Sequence, residues 1–199
     1  MTKATNANSH SPVSESLSGY DDLEKLIGEC LANSRSAQKK LYDLYSPKAY
    51  GVIKRYVDDN TPVAKEILNE SFFRVFTGLH QYSFKGAFEG WIRRIVVHTI
   101  SDHFRANVKN PELKEVQPED AYIENGSVEN LSHKDLLKII ATLPDTQREI
   151  FNLFVFENYS HKEIATLLNI NKTYSRWHLN DARKMLKEKI NSLFKNEKR

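Results

Sequence analysis

SHKEIATLLNI, residues 160–170, has the spacing of a helix, a tight turn and the approach to a second helix. Ser160 and Glu163 match the capping box that begins a helix at a defined residue. Ala165 is small at the point where a second helix would cross closely, and Asn169 tolerates the left-handed backbone that a tight turn needs. The pattern predicts a helix-turn-helix, whose second helix enters the major groove of DNA.

The second helix of this motif is expected from residue 172 to about residue 193. Residues 172–199 carry 9 basic and 3 acidic side chains, a net charge of +6 that suits a helix tracking phosphates. The alternative is an αα-hairpin with a solvated basic face. Arg176 is placed for a bidentate contact to guanine, and Arg183 for backbone phosphates. The other expected DNA contacts are Lys172, Thr173, Tyr174, Ser175, His178 and Asn180.

Upstream of this motif, helical periodicity runs through most of the chain. Apolar residues recur at helical spacing in residues 23–31, 67–79, 88–103 and 136–155. A helix is also expected over about 36–45, followed by two helix starts at Ser46-Pro47 and Thr61-Pro62, where proline occupies the first helical position. The sequence therefore predicts an all-α fold.

The charge of the 199-residue chain is uneven along its length, although the total is only +3. Residues 20–107 carry a net +2, residues 108–130 a net −4 and residues 131–199 a net +5. Helical periodicity is lost in 108–130, where Pro, Asn-Gly and acidic residues dominate, and residues 1–19 are polar. We expect a disordered tail (1–19) and two small helical domains (20–107 and 131–199) joined by a flexible acidic linker (108–130), with the basic domains contacting a polyanion.

A second candidate nucleic-acid element is YSFKGAFEGWIRR, residues 82–94, in which aromatic and basic side chains alternate. Unpaired bases stack on aromatic rings while Lys and Arg meet the phosphates. The alternative is that Phe88 and Trp91 belong to the core, and for this stretch in isolation the core interpretation is favoured. On the nucleic-acid interpretation, Phe84 and Phe88 form the wall of a pocket for a base, with Lys85 and Arg94 on phosphate.

The sequence also argues against several other classes of protein. The seven glycines form no phosphate-binding loop, and no catalytic Ser, His and Asp set can be recognised, so we expect a non-enzyme without cofactors. His98 and Asp102 share a helix face but have no third ligand, so no metal site is expected. No apolar run approaches the ~20 residues of a membrane span, and a single cysteine, Cys30, fits the reducing cytoplasm.

Three blocks of the chain resemble bacterial sigma factors of the sigma-70 family, in its extracytoplasmic-function (ECF) class. Residues 64–76, AKEILNESFFRVF, resemble region 2.2, and residues 88–105, from FEGWIRRI to DHFR, resemble regions 2.3 and 2.4. Residues 143–183 resemble region 4. The resemblance implies a subunit that binds core RNA polymerase, recognises and melts promoter DNA, and directs transcription initiation.

The resemblance also implies partners and site residues. Region 2.2 docks on the β′ clamp helices, region 4 contacts the β flap, and an anti-sigma factor is a further expected partner. The implied polymerase contacts are Glu66, Asn69, Glu70 and Phe73. The implied minus-ten contacts are Phe84, Lys85, Phe88, Trp91, Arg94, His98, Asp102 and Arg105, and the minus-thirty-five contacts are those given above for the second helix of the helix-turn-helix.

The sequence departs from the family pattern at four positions. Asn69 replaces the usual Gln, His98 stands where Asn is common, Trp177 replaces a small residue and Asp181 replaces an Arg. The last two affect the expected promoter preference, because an acid facing phosphate is repelled unless it is paired. Two other functions are weighed against the sigma factor: a stand-alone helix-turn-helix regulator and, more distantly, a structural adaptor. The block 66–76 separates the sigma factor from both alternatives, since only a sigma factor uses it to bind core polymerase.

Overall fold

Residues 20–57, 61–105 and 132–196 are described by the structure, a computed structural model, and within these ranges the regular elements are all helical. They form α1 (Tyr20–Leu31), α2 (Arg35–Ile53), α3 (Pro62–Gly78), α4 (Phe88–Arg105), α5 (His133–Ala141), α6 (Asp145–Val155), α7 (His161–Leu168) and α8 (Lys172–Asn196), with a short 3-10 turn at Leu79–Gln81. The all-α prediction is confirmed.

The chain divides into two compact units between Leu44 and Tyr45, inside α2. In the first unit, Leu26, Ile27 and Cys30 are buried along the predicted stripe of α1. An Asn33 in the left-handed conformation (φ 61°) joins α1 to α2, as short polar residues do in tight turns.

The prediction of a helix start at Ser46-Pro47 is wrong, because α2 continues through Pro47 to Ile53. The proline ring is exposed, so water can reach the backbone carbonyl that loses its amide partner there. Beyond it, Val52 and Ile53 are buried, and this burial favours continuing the helix over ending it.

Helices α3 and α4 pack against each other and form the first part of the second unit. Thr61 is the N-cap of α3 with Pro62 at its first position, as predicted. Both helices contribute fully buried apolar residues, and each of the larger ones stabilises the fold by about 1.5–3 kcal/mol relative to exposure. These residues are Ala64, Ile67, Phe72 and Val75 on α3 and Ile92, Val96, Val97 and Ile100 on α4.

Helices α5 to α8 form the second part of this unit. Ser132 caps α5 by accepting the Asp135 backbone N–H, and α6 and α7 both pack on the long helix α8. A core of Ile139, Ile140, Leu143, Ala182 and Leu186 joins α5 to α8. The predicted tail (1–19) and linker (108–130) lie outside the described residues, and the domain ranges remain predictions. In the part of the chain that is described, no helix is long and apolar enough to cross a membrane.

Candidate polymerase and DNA interfaces

The outer face of α3 presents the four predicted polymerase contacts to solvent. Glu66, Asn69 and Glu70 are exposed at i, i+3 and i+4, and Phe73 follows one turn later. Phe73 is 64% exposed, the largest value among the exposed large hydrophobic residues of the described chain. We call Glu66, Asn69, Glu70 and Phe73 the α3 face. An exposed aromatic ring beside carboxylates is typical of a protein-binding surface.

Arg74 links the α3 face to α4. Its Nε donates to Glu70 Oε1 at 2.8 Å, and its Nη1 donates to Asp102 Oδ2 at 2.6 Å. Arg105 lies on the other side of Asp102, at 3.2 Å from Oδ1. These two carboxylates raise the pKa of Arg74, chiefly through their hydrogen bonds. Asp102, an acid on a face expected to meet DNA, is therefore offset by two arginines.

The loop before α4 has a constrained backbone that displays Phe84 and Lys85. The Tyr82 hydroxyl donates to the Gly86 carbonyl at 2.7 Å and closes the loop. Phe84 has φ 57° and Gly86 has φ 94°. Both lie in the left-handed region, which is energetically unfavourable for a residue with a side chain such as Phe84. The Phe84 ring lies 4.9 Å from the Tyr82 ring and stays 37% exposed.

The rings of Phe88 and Trp91 pack against Tyr82 of this loop. Phe88 is only 3% exposed, and its ring lies 5.5 Å from Trp91 in a stacked arrangement. Trp91 is half-buried and lies 5.6 Å from Tyr82. For Phe88 the core interpretation is the one that the geometry fits, because a buried ring has no face left for a base. Phe84 and Lys85 remain accessible.

Helix α4 carries Arg94, His98, Asp102 and Arg105 on one exposed face, which we call the α4 face. They follow the i, i+4, i+8 and i+11 spacing that brings residues to one side of a helix. Partial burial lowers the pKa of His98, while the nearby Asp102 acts in the opposite direction. His98 is therefore a neutral donor and acceptor at neutral pH.

The helix-turn-helix has the capping that its sequence predicts. The Ser160 amide donates to Glu163 Oε2 at 2.8 Å, and the Glu163 amide donates to Ser160 Oγ at 3.3 Å. Asn169 ends α7 with φ 54°, in the left-handed region. Asn171, which the sequence analysis did not single out, caps α8 by accepting the Thr173 N–H at 2.7 Å. An asparagine just before the helix was the available signal.

The eight predicted minus-thirty-five contacts on α8 fall into two groups, six that solvent reaches at least in part and two that are buried. Lys172, Thr173 and Arg176 are exposed, and Tyr174, Asn180 and Arg183 are half-buried. Ser175 is fully buried with its hydroxyl 2.9 Å from His161 Nδ1. His178 is 7% exposed, and its two ring nitrogens have no hydrogen-bond partner. Ser175 and His178 thus lie on the inner side of α8, and the geometry does not offer them to DNA.

The two unusual residues of α8 have different surroundings. Asp181 accepts a hydrogen bond from Gln147 Nε2 at 2.8 Å, so its carboxylate is held against α6. Trp177 is 37% exposed and its ring meets His178 edge-on at 4.5 Å. Trp177 therefore leaves an indole face at the surface beside the residues of α8 that are predicted to contact DNA.

Comparison with known protein families identifies both the part of the chain that carries α3 and α4 and the part that carries α7 and α8. The model for sigma-70 region 2 matches residues 41–109, and the model for sigma-70 region 4 matches residues 133–186. Together they cover more than half of the chain. The chain belongs to the sigma-70 family, in its ECF class. As a sigma factor it binds core RNA polymerase and directs initiation at promoter DNA, and it is not an enzyme.

Relatives match along most of this sigma factor. It is 29% identical over 147 residues to RNA polymerase sigma-H factor of Pseudomonas aeruginosa, covering 65% of this chain and 76% of that one. It is 24% identical over 188 residues to the ECF RNA polymerase sigma-E factor of Haemophilus influenzae, covering 85% and 98%. A solved structure of the sigma factor RpoE with the anti-sigma factor NepR, from Bartonella quintana, matches with a TM-score of 0.45 and 15% identity over 75% of this chain and 94% of that one.

Two basic residues of this sigma factor's α8 extend the exposed face beyond the predicted set. Lys184 and Lys187 are exposed and follow Asn180 and Arg183 at i+4, so they lie on the same side of the helix. This i+4 spacing is visible in the sequence and is the signal that predicts both lysines on this face. We call the exposed and half-exposed residues of this side the α8 face: Lys172, Thr173, Arg176, Asn180, Arg183, Lys184 and Lys187. In the described residues no cluster of metal-ligating side chains accompanies these faces.

Proposed function

We propose that three surfaces of this sigma factor divide the work of initiation. The α3 face binds the β′ clamp helices of core polymerase. The loop 82–87 and the α4 face open and hold the minus-ten element, and the α8 face reads the minus-thirty-five element in the major groove. Accordingly, residues 20–107 act as the polymerase and minus-ten domain and residues 131–199 as the minus-thirty-five domain.

The exposure of Phe73 is the observation that carries the polymerase contact. A phenylalanine that is 64% exposed leaves most of its apolar surface in water, whereas the ring of the neighbouring Phe72 is buried. Burying such a ring in a partner is worth about 1.5–3 kcal/mol. Glu66 and Asn69 flank it and offer charge-assisted and amide hydrogen bonds to basic residues of the partner.

Strand opening rests on the loop that presents Phe84 and Lys85. Taking a base out of the duplex stack costs a few kcal/mol, and stacking on an aromatic ring returns about 1–3 kcal/mol. Phe84 is held outward by the strained turn, and Lys85 is exposed beside it for the phosphate. Phe88 and Trp91 support the loop from below, so their contribution is positioning.

Upstream recognition rests on the N-terminal turns of α8. Lys172, Thr173 and Arg176 are exposed where the helix N-terminus offers free amides and a partial positive charge to a phosphate. Arg176 is the residue that we propose reads guanine, because the guanidinium fork matches its O6 and N7. We leave Ser175 and His178 out of the DNA-contacting set because of their burial.

The place of action follows from the partner. Core polymerase and promoter DNA are in the cytoplasm, so we propose that this sigma factor works there. An anti-sigma factor is a further partner that the family leads us to expect, and it stays a prediction.

The test of the polymerase contact is a titration of labelled full-length chain with core polymerase. Phe73→Ala should weaken binding about tenfold or more, while the thermal unfolding midpoint stays unchanged because the ring is exposed. Leu31→Ala is the matched control, since Leu31 is also an exposed apolar residue (48%) but lies on α1. Equal affinities for wild type and Phe73→Ala would remove the α3 face from the polymerase interface.

A further inference from the structure

Trp177 points away from the packed side of α8. Four buried residues mark that side: Ser175, Leu179, Ala182 and Leu186. Successive residues of an α-helix are about 100° apart, so Trp177 lies roughly 140–180° around the helix axis from each of them. The same geometry places Arg176 about 60–120° away from them, on the flank of the helix. Trp177 is therefore the more outward-pointing of these two neighbours.

A residue opposite the packed side of a helix faces the floor of the groove that holds the helix. The floor of the major groove consists of base edges, whereas the phosphates line its walls. With α8 in the major groove, as proposed above, Trp177 meets the edge of a base. Arg176 reaches a base from the flank through its longer side chain.

The indole of Trp177 is held by its neighbours in the free protein. Its ring meets the His178 ring edge-on at 4.5 Å, and the His178 ring lies 4.1 Å from the Tyr174 ring. His178 is only 7% exposed, so these ring contacts are anchored at a buried residue, while Trp177 keeps 37% of its surface exposed. A side chain that is already ordered loses little entropy on binding, which favours its use in recognition.

The chemistry of the indole matches one base better than the others. In the major groove thymine displays a methyl group beside the O4 acceptor, adenine and cytosine display an exocyclic amine, and guanine displays two acceptors without a methyl group. An indole offers an apolar ring and one N–H donor, and it has no hydrogen-bond acceptor. The ring can cover the thymine methyl while the N–H donates to O4, but it cannot accept from an exocyclic amine.

The acid one turn beyond Trp177 does not compete for the same base. A free aspartate on a reading helix would accept a hydrogen bond from the amine of cytosine. Here the Asp181 carboxylate accepts a hydrogen bond from Gln147 Nε2 at 2.8 Å and is held against α6. The base edge in front of this part of α8 is therefore left to the ring of Trp177.

We propose that Trp177 is a specificity-determining residue of the minus-thirty-five interface, which selects thymine at one position by covering its 5-methyl group. The inference rests on the proposed function of the α8 face. It adds to that face an apolar contact that its charged residues do not provide.

Binding of holoenzyme, assembled from core polymerase and the full-length chain, to randomised minus-thirty-five elements tests the proposal. We expect the wild type to enrich thymine at one position, and Trp177→Ala to lose that enrichment while preferences at other positions remain. Uracil is then placed at that position, which removes only the 5-methyl group. The wild type should bind the uracil element about fourfold more weakly, the effect of one methyl group returned to water. Trp177→Ala should bind both elements equally.

Two variants of α8 serve as controls. Trp177→Phe keeps an aromatic ring over the methyl group and should retain most of the difference between thymine and uracil. Met185→Ala removes an apolar side chain of similar exposure (38%) from the same helix, about 80° around the axis, and should leave the thymine preference unchanged. The change from thymine to uracil alters only the DNA, so the wild-type comparison holds whatever the stability of the variants.

Equal binding of the wild type to thymine and uracil elements, or the same difference in Trp177→Ala as in the wild type, would overturn the proposal. In the second case, loss of the difference in Thr173→Ser would assign the methyl contact to Thr173. Base preferences without any selection of thymine would also overturn it, but would leave the α8 face as the reading surface. A wild type with no base preference in the element would instead remove the α8 face from minus-thirty-five recognition, and the role of Trp177 with it.

Discussion

Asp102 on α4 accepts a 2.6 Å hydrogen bond from Arg74 on α3, and the same arginine holds Glu70 of the α3 face. The helix proposed to bind polymerase and the helix proposed to meet promoter DNA therefore share one cation. A change at Glu70 alters the partner of Asp102, whereas a change at Glu66 does not. Glu66 and Glu70 are both exposed on the α3 face, but only Glu70 is linked through Arg74 to α4.

Charge reversal on the α3 face should weaken polymerase binding in a way that distinguishes these two residues. Glu66→Lys is expected to reduce core affinity about tenfold or more with no change in promoter contacts, because an interface charge pair becomes a repulsion. Glu70→Lys should also release Arg74 and disturb the α4 face, so it should impair open-complex formation as well.

Affinity from a core-polymerase titration, together with permanganate footprints at saturating polymerase, measures both effects. Glu24→Lys, an exposed glutamate of α1, is the control. Identical footprints for the Glu66 and Glu70 variants would show that the shared arginine has no functional consequence.

Phe84→Gly should separate the ring of Phe84 from the strain of its backbone. The left-handed conformation costs a residue with a side chain about 1–2 kcal/mol, and glycine removes that cost together with the ring. We expect the fold to keep its stability and open-complex formation to fall, since base stacking on the ring is lost. Ser83→Ala is the control in the same loop. Normal permanganate reactivity of the melted region in Phe84→Gly would exclude the ring from strand opening.

Arg176→Ala and Lys187→Ala should affect DNA binding differently although both residues lie on the α8 face. Loss of Arg176 is expected to relax the preference at one base position, by roughly 1–3 kcal/mol. Loss of Lys187 should weaken all upstream sequences alike and reduce the salt slope by about 1. Binding of holoenzyme to a randomised minus-thirty-five element at several salt concentrations measures both. An unchanged base preference in Arg176→Ala means that another side chain reads that base.

His178 should make the fold sensitive to acid. Burial lowers its pKa to about 4, with Asp181 opposing the shift, so it is neutral when folded and gains a proton near its ordinary pKa of about 6.5 when unfolded. Its contribution is present above pH 6.5 and is lost as the pH falls toward 4. Between pH 7 and pH 5 the free energy of unfolding should drop by roughly 2 kcal/mol on this account.

Denaturant titrations at the two pH values measure this loss. His178→Leu removes two buried nitrogens that have no hydrogen-bond partner and should abolish this part of the acid sensitivity. Burial also raises the pKa of Glu149 to about 8, but this shift is present in both proteins and cancels in the comparison. Equal pH dependence in wild type and His178→Leu would contradict the burial of His178.

Local patterns allowed much of this fold to be predicted from the sequence. The Ser160 and Glu163 pair and the left-handed Asn169 define α7 and its turn, because capping depends on residues a few positions apart. Pro47 gave a wrong helix boundary, because the preference of proline for the first helical position does not exclude an exposed proline inside a helix. The burial of Ser175 and His178 was visible in principle. With Leu179, Ala182 and Leu186 they follow the helical spacing of the inner stripe of α8.

Contacts between distant parts of the chain could not be predicted in this way. Arg74 and Asp102 are 28 residues apart, Gln147 and Asp181 are 34 apart, and Arg93 and Glu157 are 64 apart. Helical periodicity places each residue on a face of its own helix but does not indicate which face it meets. The pairing of Asp181 with Gln147, the shared role of Arg74 and the pairing of Arg93 with Glu157 therefore emerge only from the packing of the helices.

Run-off transcription from a promoter library, with core RNA polymerase in the presence and absence of this chain, tests the central claim most directly. We predict transcripts from a subset of promoters only when the chain is added. Lys85→Ala combined with Phe84→Gly should abolish them on duplex templates and retain activity on templates whose minus-ten region is already unpaired. No chain-dependent transcript from any promoter, or equal loss on duplex and pre-opened templates, would contradict the assignment of the 82–87 loop and α4 to promoter opening by a polymerase-bound sigma factor.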